Sequence, residues 1–246
     1  MPKTIVTHMS PDLDAVTAIW LVKRFMPEWE EATHAFVQAG ETLEGKDPDE
    51  DPNIIHVDTG LGRFDHHQVK DRNLSATKLV FNFLQEKKYI KGEIEEALAR
   101  ISDFVTTIDS FGEVFFHDPA SDIYDFSLYQ LIEGLKTTKK KDIEIYELAS
   151  PLLDGVLQLL RNKVKAEEEI KKGFVFESKW GRTLAVESKN DQVLKLALKM
   201  GFNAAIRKNP DEGFLRINTI PSDKNDLTPL YEKVRELDPE ATWYLH

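Results

Sequence analysis

Cysteine is absent from the chain, which excludes disulfides, thiolate metal ligands and a cysteine nucleophile. Positive charge is scarce: 32 Lys and Arg face 43 Asp and Glu, a formal net charge of −11. That balance argues against broad binding along a long nucleic-acid duplex, which needs a basic face. It leaves a small anionic substrate open, because bound cations invert the local charge at a site. No apolar run is long enough to span a bilayer, so no membrane partner is expected. Lys3 leads through one short strand into polar residues, so no signal peptide is expected and a cytoplasmic setting fits.

The chain has 246 residues, 41% of them hydrophobic, ordinary for a soluble globular protein and enough for one large domain or two small ones. Thr4 to Thr7 reads as a first, buried strand, and Pro11-Asp12 opens a helix with Val16, Ile19, Trp20, Val22 and Phe25 facing a core. Pro27 stops it. A second strand is expected at 35–37. The acidic, Pro-punctuated stretch 47–52 is a solvated loop, and Ile54 to Val57 is a third strand. Ser75 is a plausible N-cap for a helix over 78–88, and further helices are expected over about 94–107 and around Leu128 to Leu135.

The basic run Lys139-Lys140-Lys141 marks the expected linker. From Asp142 to Lys172 the pattern is helical, interrupted by Pro151, and its charged second part resembles a connector more than a core helix. Beyond it, strands, turns and helices alternate in a small ββαββαβ lobe ending in a strand from Thr242 to Leu245, with Trp243 and Tyr244 as core. The expected fold is therefore α/β: a domain over 1–136 with a largely parallel sheet flanked by helices, a helical linker over 137–172, and a smaller α+β lobe over 173–246. The abrupt stop at His246, after an aromatic segment, leaves room for further native sequence.

Two clusters stand out against this background. His8-Met9-Ser10-Pro11-Asp12-Leu13-Asp14 follows the first strand, and Val57-Asp58, then Asp65-His66-His67, follows the third. Groups following parallel strands gather outside the strands' carboxyl ends, so the two clusters are expected to meet. Carboxylates packed that closely repel one another unless a cation neutralises them. Oxygen donors mixed with imidazoles, without thiolate, favour Mn²⁺ or Mg²⁺. Asp109, at the end of an apolar segment, suits a further ligand. His34, His56 and His117 fall outside the set; His56 shares a strand face with Asp58, which suits a supporting role.

His8 to Ala15, Val57-Asp58, Asp65-His66-His67 and Asp109 resemble motifs I to IV of the DHH phosphoesterase superfamily, which includes RecJ exonucleases, short-RNA and cyclic-dinucleotide phosphodiesterases and family II pyrophosphatases. Ser75-Ala76-Thr77 is similar to the family's segment after motif III, and the short spacing from Asp58 to Asp65 is similar to its Myg-type branch. The resemblance implies a DHH-type catalytic domain with two Mn²⁺ ions, Mg²⁺ or Co²⁺ being possible substitutes, between an N-terminal α/β domain and a smaller C-terminal lobe. It implies that His8 and Asp12 hold one ion, Asp14, His66 and Asp109 the other, and that Asp58 bridges. His67 would face the phosphate and Asp65 would orient its neighbours.

The chain lacks the family's Gly-Gly-Gly-His substrate motif in its C-terminal lobe, so phosphate recognition is expected from other cations. Arg207, Lys208 and Arg216 are candidates, since guanidinium groups bind phosphate oxygens bidentately, and Arg63 has a claim by proximity. The expected function is a metal-dependent phosphoesterase acting on a nucleotide, a short oligonucleotide or a related small phosphate ester. A phosphoanhydride hydrolase acting on pyrophosphate or short polyphosphate, and a non-catalytic nucleotide sensor, are the alternatives.

Overall fold

A computed structural model describes residues 2–138 and 140–245; Lys139, from the basic run expected to mark a linker, and the terminal His246 lie outside the described residues. The chain divides into two units, Met1–Arg161 and Asn162–His246. The architecture is α/β, with a parallel sheet and helices in the first unit and a mixed sheet in the second.

In the first unit, β1 (Thr4–His8) lies between β2 (Thr33–Val37) and β3 (Ile54–His56), all parallel. Ile5 and Val6 are fully buried, as a central parallel strand requires. The register aligns Thr4 with Thr33 and with Ile54, so β1 and β3 end close together. The Val57 amide donates to the Val6 carbonyl at 2.9 Å, which carries the pairing one residue past β3 and delivers Asp58 beside the end of β1.

Helix α1 (Leu13–Phe25) is capped by Asp12, whose carboxylate accepts from the Ala15 amide, and it buries every residue from Leu13 to Val22. Helices α2 (Ala76–Glu86) and α3 (Glu93–Asp109) pack with it through Trp20, Val80, Leu84, Leu98 and Ile101. Each fully buried Leu or Ile contributes roughly 1.5–3 kcal/mol. Helix α3 runs two residues further than expected, so Asp109 is its last helical residue.

Helix α4 (Leu128–Thr137) adds Tyr129 and Ile132 to this core. The long helix α5 (Asp142–Lys172) runs on through Pro151, where an interruption was expected. Proline removes one intrahelical bond, but Ala149, Leu153 and Leu157 bury one face on both sides of it, and that packing outweighs the lost bond. The stretch expected to connect lobes is apportioned by packing: Ile145 and Leu153 join the first core, while Ala166 and Ile170 join the second.

In the second unit, β4 (Phe174–Ser178), β5 (Gly181–Glu187), β6 (Ala204–Lys208) and β7 (Leu215–Thr219) form a sheet in sequence order. β5 and β6 are parallel, joined through α6 (Gln192–Lys199), and the outer pairs are antiparallel hairpins. Helix α7 (Thr228–Leu237) follows. The strand expected at Thr242–Leu245 does not form, and Tyr244 is 78% exposed rather than core. Strand propensity is a preference for packing on a pleated surface, and this segment has no ladder partner among the described residues. No helix among the described residues is long and apolar enough to cross a membrane.

Candidate metal centre

The first unit brings His8, Asp12, Asp14, Asp58, His66 and Asp109 together. Three overlapping groups, His8 with Asp12 and Asp58, Asp14 with His66 and Asp109, and Asp58 with His66 and His67, each have ligand atoms within 4.8 Å of one another. His8 closes β1, Asp12 caps α1, Asp14 sits in its first turn, Asp58 follows β3 and Asp109 ends α3. Five places in the fold thus contribute to one spot.

Each side chain is held by local geometry. The His8 Nδ1–H lies 2.9 Å from the Met9 carbonyl, a bond that leaves Nε2, 3.2 Å from Asp58 Oδ2, as the nitrogen turned to the cluster. Asp14, 2% exposed, accepts the Ala76 amide at 2.7 Å and the Thr77 amide at 2.9 Å, while the Thr77 hydroxyl donates to the Asp14 carbonyl. Amides at the start of α2 therefore grip a carboxylate of α1, as helix N-termini grip anions. Ser75, expected as the N-cap, fills that role by accepting from the Lys78 amide.

Asp58 has φ +56°, in the left-handed region that Asp and Asn tolerate best. Its amide donates to the Phe64 carbonyl at 3.0 Å, closing the loop that returns the chain to Asp65. Gly60, at φ +79°, has no room for a Cβ, which would stand 2.8 Å from Thr42 Cγ2. Asp65 is 1% exposed: Oδ2 accepts the Leu61 amide at 2.7 Å, and Oδ1 accepts both the His67 amide at 3.1 Å and its Nδ1–H at 2.7 Å. It orients the loop and the His67 ring.

The electrostatics are those of a site built for a cation. His66 Nε2 stands 3.4 Å from Asp58, 3.5 Å from Asp109 and 3.8 Å from Asp14, and neither it nor the buried Asp58 Oδ1 has a hydrogen-bond partner among the described residues. Donors about 2.1 Å from one small divalent ion stand about 3.0–3.5 Å apart, so these separations suit ligands of a shared ion better than hydrogen-bond partners. Neighbouring carboxylates raise the His66 pKa to about 9, the Asp58 carboxylate foremost, against the opposing effect of burial. Burial lowers the His8 pKa, but Asp58, the Met9 carbonyl and Asp12 outweigh it and raise it to about 9.

Burial together with the charges of Asp58 and Asp109 pushes the Asp14 carboxyl well above the ordinary range. Asp109 rises to about 6, through burial and the nearby carboxylates of Asp58 and Asp12. Burial also pushes on Asp58, yet the His66 and His8 rings hold it below the usual value. The donor set of carboxylates and imidazoles fits divalent ions of the Mn²⁺ and Mg²⁺ kind.

Cavities surround the cluster. One of 390 Å³ is lined by His8, Asp12, Asp58, Asp65, His67 and Asp109 among others. A second, of 440 Å³, is bordered by His66, His67, Lys70, Arg72, Asp109 and Ser110. A third, of 230 Å³, lies between Asp12, Asp14 and Asp109 and the side chains of Glu113, Gln130 and Glu133.

The cations expected to bind phosphate are engaged elsewhere. Arg63 pairs with Asp49 at 3.5 Å and lies over the Phe64 ring, and it lines none of these cavities. In the second unit, Arg207 is 1% exposed and donates to the Ser188 carbonyl and to Asp191. Lys208 pairs with Glu187 at 2.8 Å, and Arg216 pairs with Asp191 at 3.5 Å.

His56 is buried, its Nδ1–H directed to the Pro48 carbonyl and its Nε2 accepting the Leu43 amide at 3.0 Å. It fastens the 43–48 loop rather than the cluster. His34 packs on Tyr146, and His117 lies exposed in a loop. Sequence reasoning passed over Lys70 and Arg72, which lie just beyond the Asp-His-His run. Their spacing from it was the available signal.

No family model matches the chain, and no curated protein matches it. Among solved structures it is similar to one described as the DHH domain of a member of an S1p family of ribosomal proteins. Identity is 13% and the TM-score 0.32, over 98% of this chain and 79% of that one.

Proposed function

We propose that this chain is a metal-dependent phosphoesterase that hydrolyses a phosphodiester or phosphomonoester bond in a nucleotide or short oligonucleotide at a centre of two Mn²⁺ ions. The observation that carries this reading is the His66 Nε2 atom, faced by carboxylates from α1, α3 and the loop after β3 and hydrogen-bonded to none of them. His8 and Asp12 would hold one ion, Asp14, His66 and Asp109 the other, and Asp58 both; Mg²⁺ or Co²⁺ suits the same donors. The likeness of these residues to the DHH motifs supports the assignment.

When bound, such a pair supplies a water of lowered pKa and neutralises charge growing on the phosphoryl oxygens. The chain's own residues do the positioning. The amides of Ala76 and Thr77 stop the Asp14 carboxylate from rotating, and the Met9 carbonyl fixes the His8 tautomer. Asp65 takes the Nδ1–H of His67, leaving Nε2 as the nitrogen available to a phosphoryl or leaving-group oxygen. Preorganised dipoles of this kind cost nothing at the moment of reaction. The proposed substrate is small and anionic, not a long duplex, and the proposed setting is the cytoplasm.

The absent Gly-Gly-Gly-His segment favours, as a second reading, hydrolysis of pyrophosphate or short polyphosphate at the same centre. Assay of the Mn²⁺-loaded protein against bis-p-nitrophenyl phosphate, a short single-stranded RNA and pyrophosphate decides between them. Turnover of the esters, lost in Asp58→Asn, is expected. Release of phosphate from pyrophosphate alone selects the second reading. Failure to turn over any of the three, with metal bound, overturns both and leaves a nucleotide sensor.

A further inference from the structure

An anionic substrate has to reach a cluster of carboxylates on a chain of net charge −11, so cations that are not already neutralised are needed beside it. The loop after His67 supplies two. Lys70 and Arg72 border the 440 Å³ cavity that His66, His67 and Asp109 also line. Both are exposed, and neither has an ion pair or hydrogen bond among the described residues. The acid between them, Asp71, forms no ion pair with either among the described residues; its Oδ1 accepts from the Asn73 backbone amide at 2.9 Å and from Asn73 Nδ2 at 3.0 Å.

The loop also joins two parts of the centre. The Val69 amide donates to the His66 carbonyl at 2.9 Å, and the Leu74 amide to the Asp71 carbonyl at 3.2 Å, just before Ser75 opens the helix whose amides hold Asp14. Lys70 and Arg72 are therefore carried on a short tether between a proposed ligand and the grip on another.

We propose that Lys70 and Arg72 bind a further phosphate of the substrate, beyond the two groups joined by the scissile bond, and so select substrates that carry it. The guanidinium can take two oxygens of that group and the ammonium acts as a point charge. The inference rests on the phosphoesterase reading. The further phosphate is either the one at the 5′ end of a nucleotide chain or the third phosphoryl unit of a polyphosphate.

The test uses the full chain loaded with Mn²⁺ and compares kcat/KM within two pairs: a 5′-phosphorylated dinucleotide against the same dinucleotide without that phosphate, and tripolyphosphate against pyrophosphate. A preference of about tenfold or more for the extra phosphate is expected in one pair, which identifies its source. Lys70→Ala/Arg72→Ala should collapse that preference towards one, mainly through KM, and Arg72→Lys alone should keep part of it. Lys91→Ala, which removes an exposed charge away from these cavities, should leave it intact. Calorimetric Kd values on Mn²⁺-loaded His67→Ala protein should show the same preference in binding, without turnover. Turnover with no preference in either pair, or a preference that survives the double substitution, overturns the proposal. Absence of turnover and of binding for all four compounds overturns the phosphoesterase reading and this proposal with it.

Discussion

The carboxylate of Asp65 accepts three N–H groups from two sides: the His67 ring and backbone through Oδ1, and the Leu61 amide through Oδ2. A carboxylate can do this and a carboxamide cannot, because Asn has one acceptor oxygen and turns a donor towards the other side. Asp65→Asn should therefore lose either the His67 ring or the Leu61 amide. Turnover is expected to fall about 10- to 100-fold with metal stoichiometry unchanged, and urea unfolding to show a loss of about 1–3 kcal/mol. Normal turnover in a folded Asp65→Asn protein would mean that His67 needs no orienting partner.

Asp58, Asp14 and Asp109 crowd around His66, so chelation should cost the protein stability and Mn²⁺ should restore it. A ligand that binds only the folded state contributes about 2.7 kcal/mol at 100 times its Kd, which for a protein of this size is a rise in Tm of roughly 5–10 °C. Asp58→Asn should abolish the Mn²⁺-dependent rise. Asn is chosen over Ala because residue 58 has φ +56°, a conformation that Asn adopts readily, so the result reports the lost charge and not a disturbed backbone. A melting curve indifferent to Mn²⁺ would remove the metal centre.

How much of this was legible in the sequence depends on how local each signal is. Strand followed by a burst of acids and imidazoles is a local pattern, and it marked His8, Asp12, Asp14, Asp58 and His66; Asp109, which ends α3, was marked separately as an acid closing an apolar segment. Ser75 was legible for the same reason, since an N-cap precedes its helix by one residue. His56 was not, because its partners, the Leu43 amide and the Pro48 carbonyl, reach it only through a loop closure that no periodicity announces. Arg207 is the instructive failure: strand alternation puts it on the face of Ala205, which is core, so its burial could have been read from the pattern that was used to place the strand. The aromatic tail at Thr242–Leu245 had the composition of a strand and no neighbour to pair with.

His34 makes the stability depend on pH at a place away from the candidate metal centre. Burial, with the nearby Lys23 charge, lowers its pKa to about 4, and its ring packs on Tyr146 with Nε2 buried and without a hydrogen-bond partner among the described residues. At neutral pH the ring is uncharged in both the folded and unfolded chain and has no effect. Below pH about 6.5 the unfolded chain takes up a proton that the folded chain refuses, so stability falls as the pH drops towards 4, with the full loss reached below that value. His34→Phe keeps a ring against Tyr146 and removes the titration. Its urea midpoint should fall less steeply between pH 6.5 and 4 than that of the parent; parallel profiles would assign the acid sensitivity to other groups.

Arg207 separates a structural from a substrate role. Its guanidinium is spent on the Ser188 carbonyl and on Asp191, beneath the Phe214 ring. Arg207→Met keeps the packing of the aliphatic stem and deletes those bonds, leaving the Ser188 carbonyl without this donor. The expected cost is about 1–3 kcal/mol of stability, seen as an earlier unfolding transition in urea, with a KM change smaller than that produced by Lys70→Ala/Arg72→Ala. A large rise in KM at unchanged stability would show instead that the guanidinium leaves Asp191 to meet the substrate.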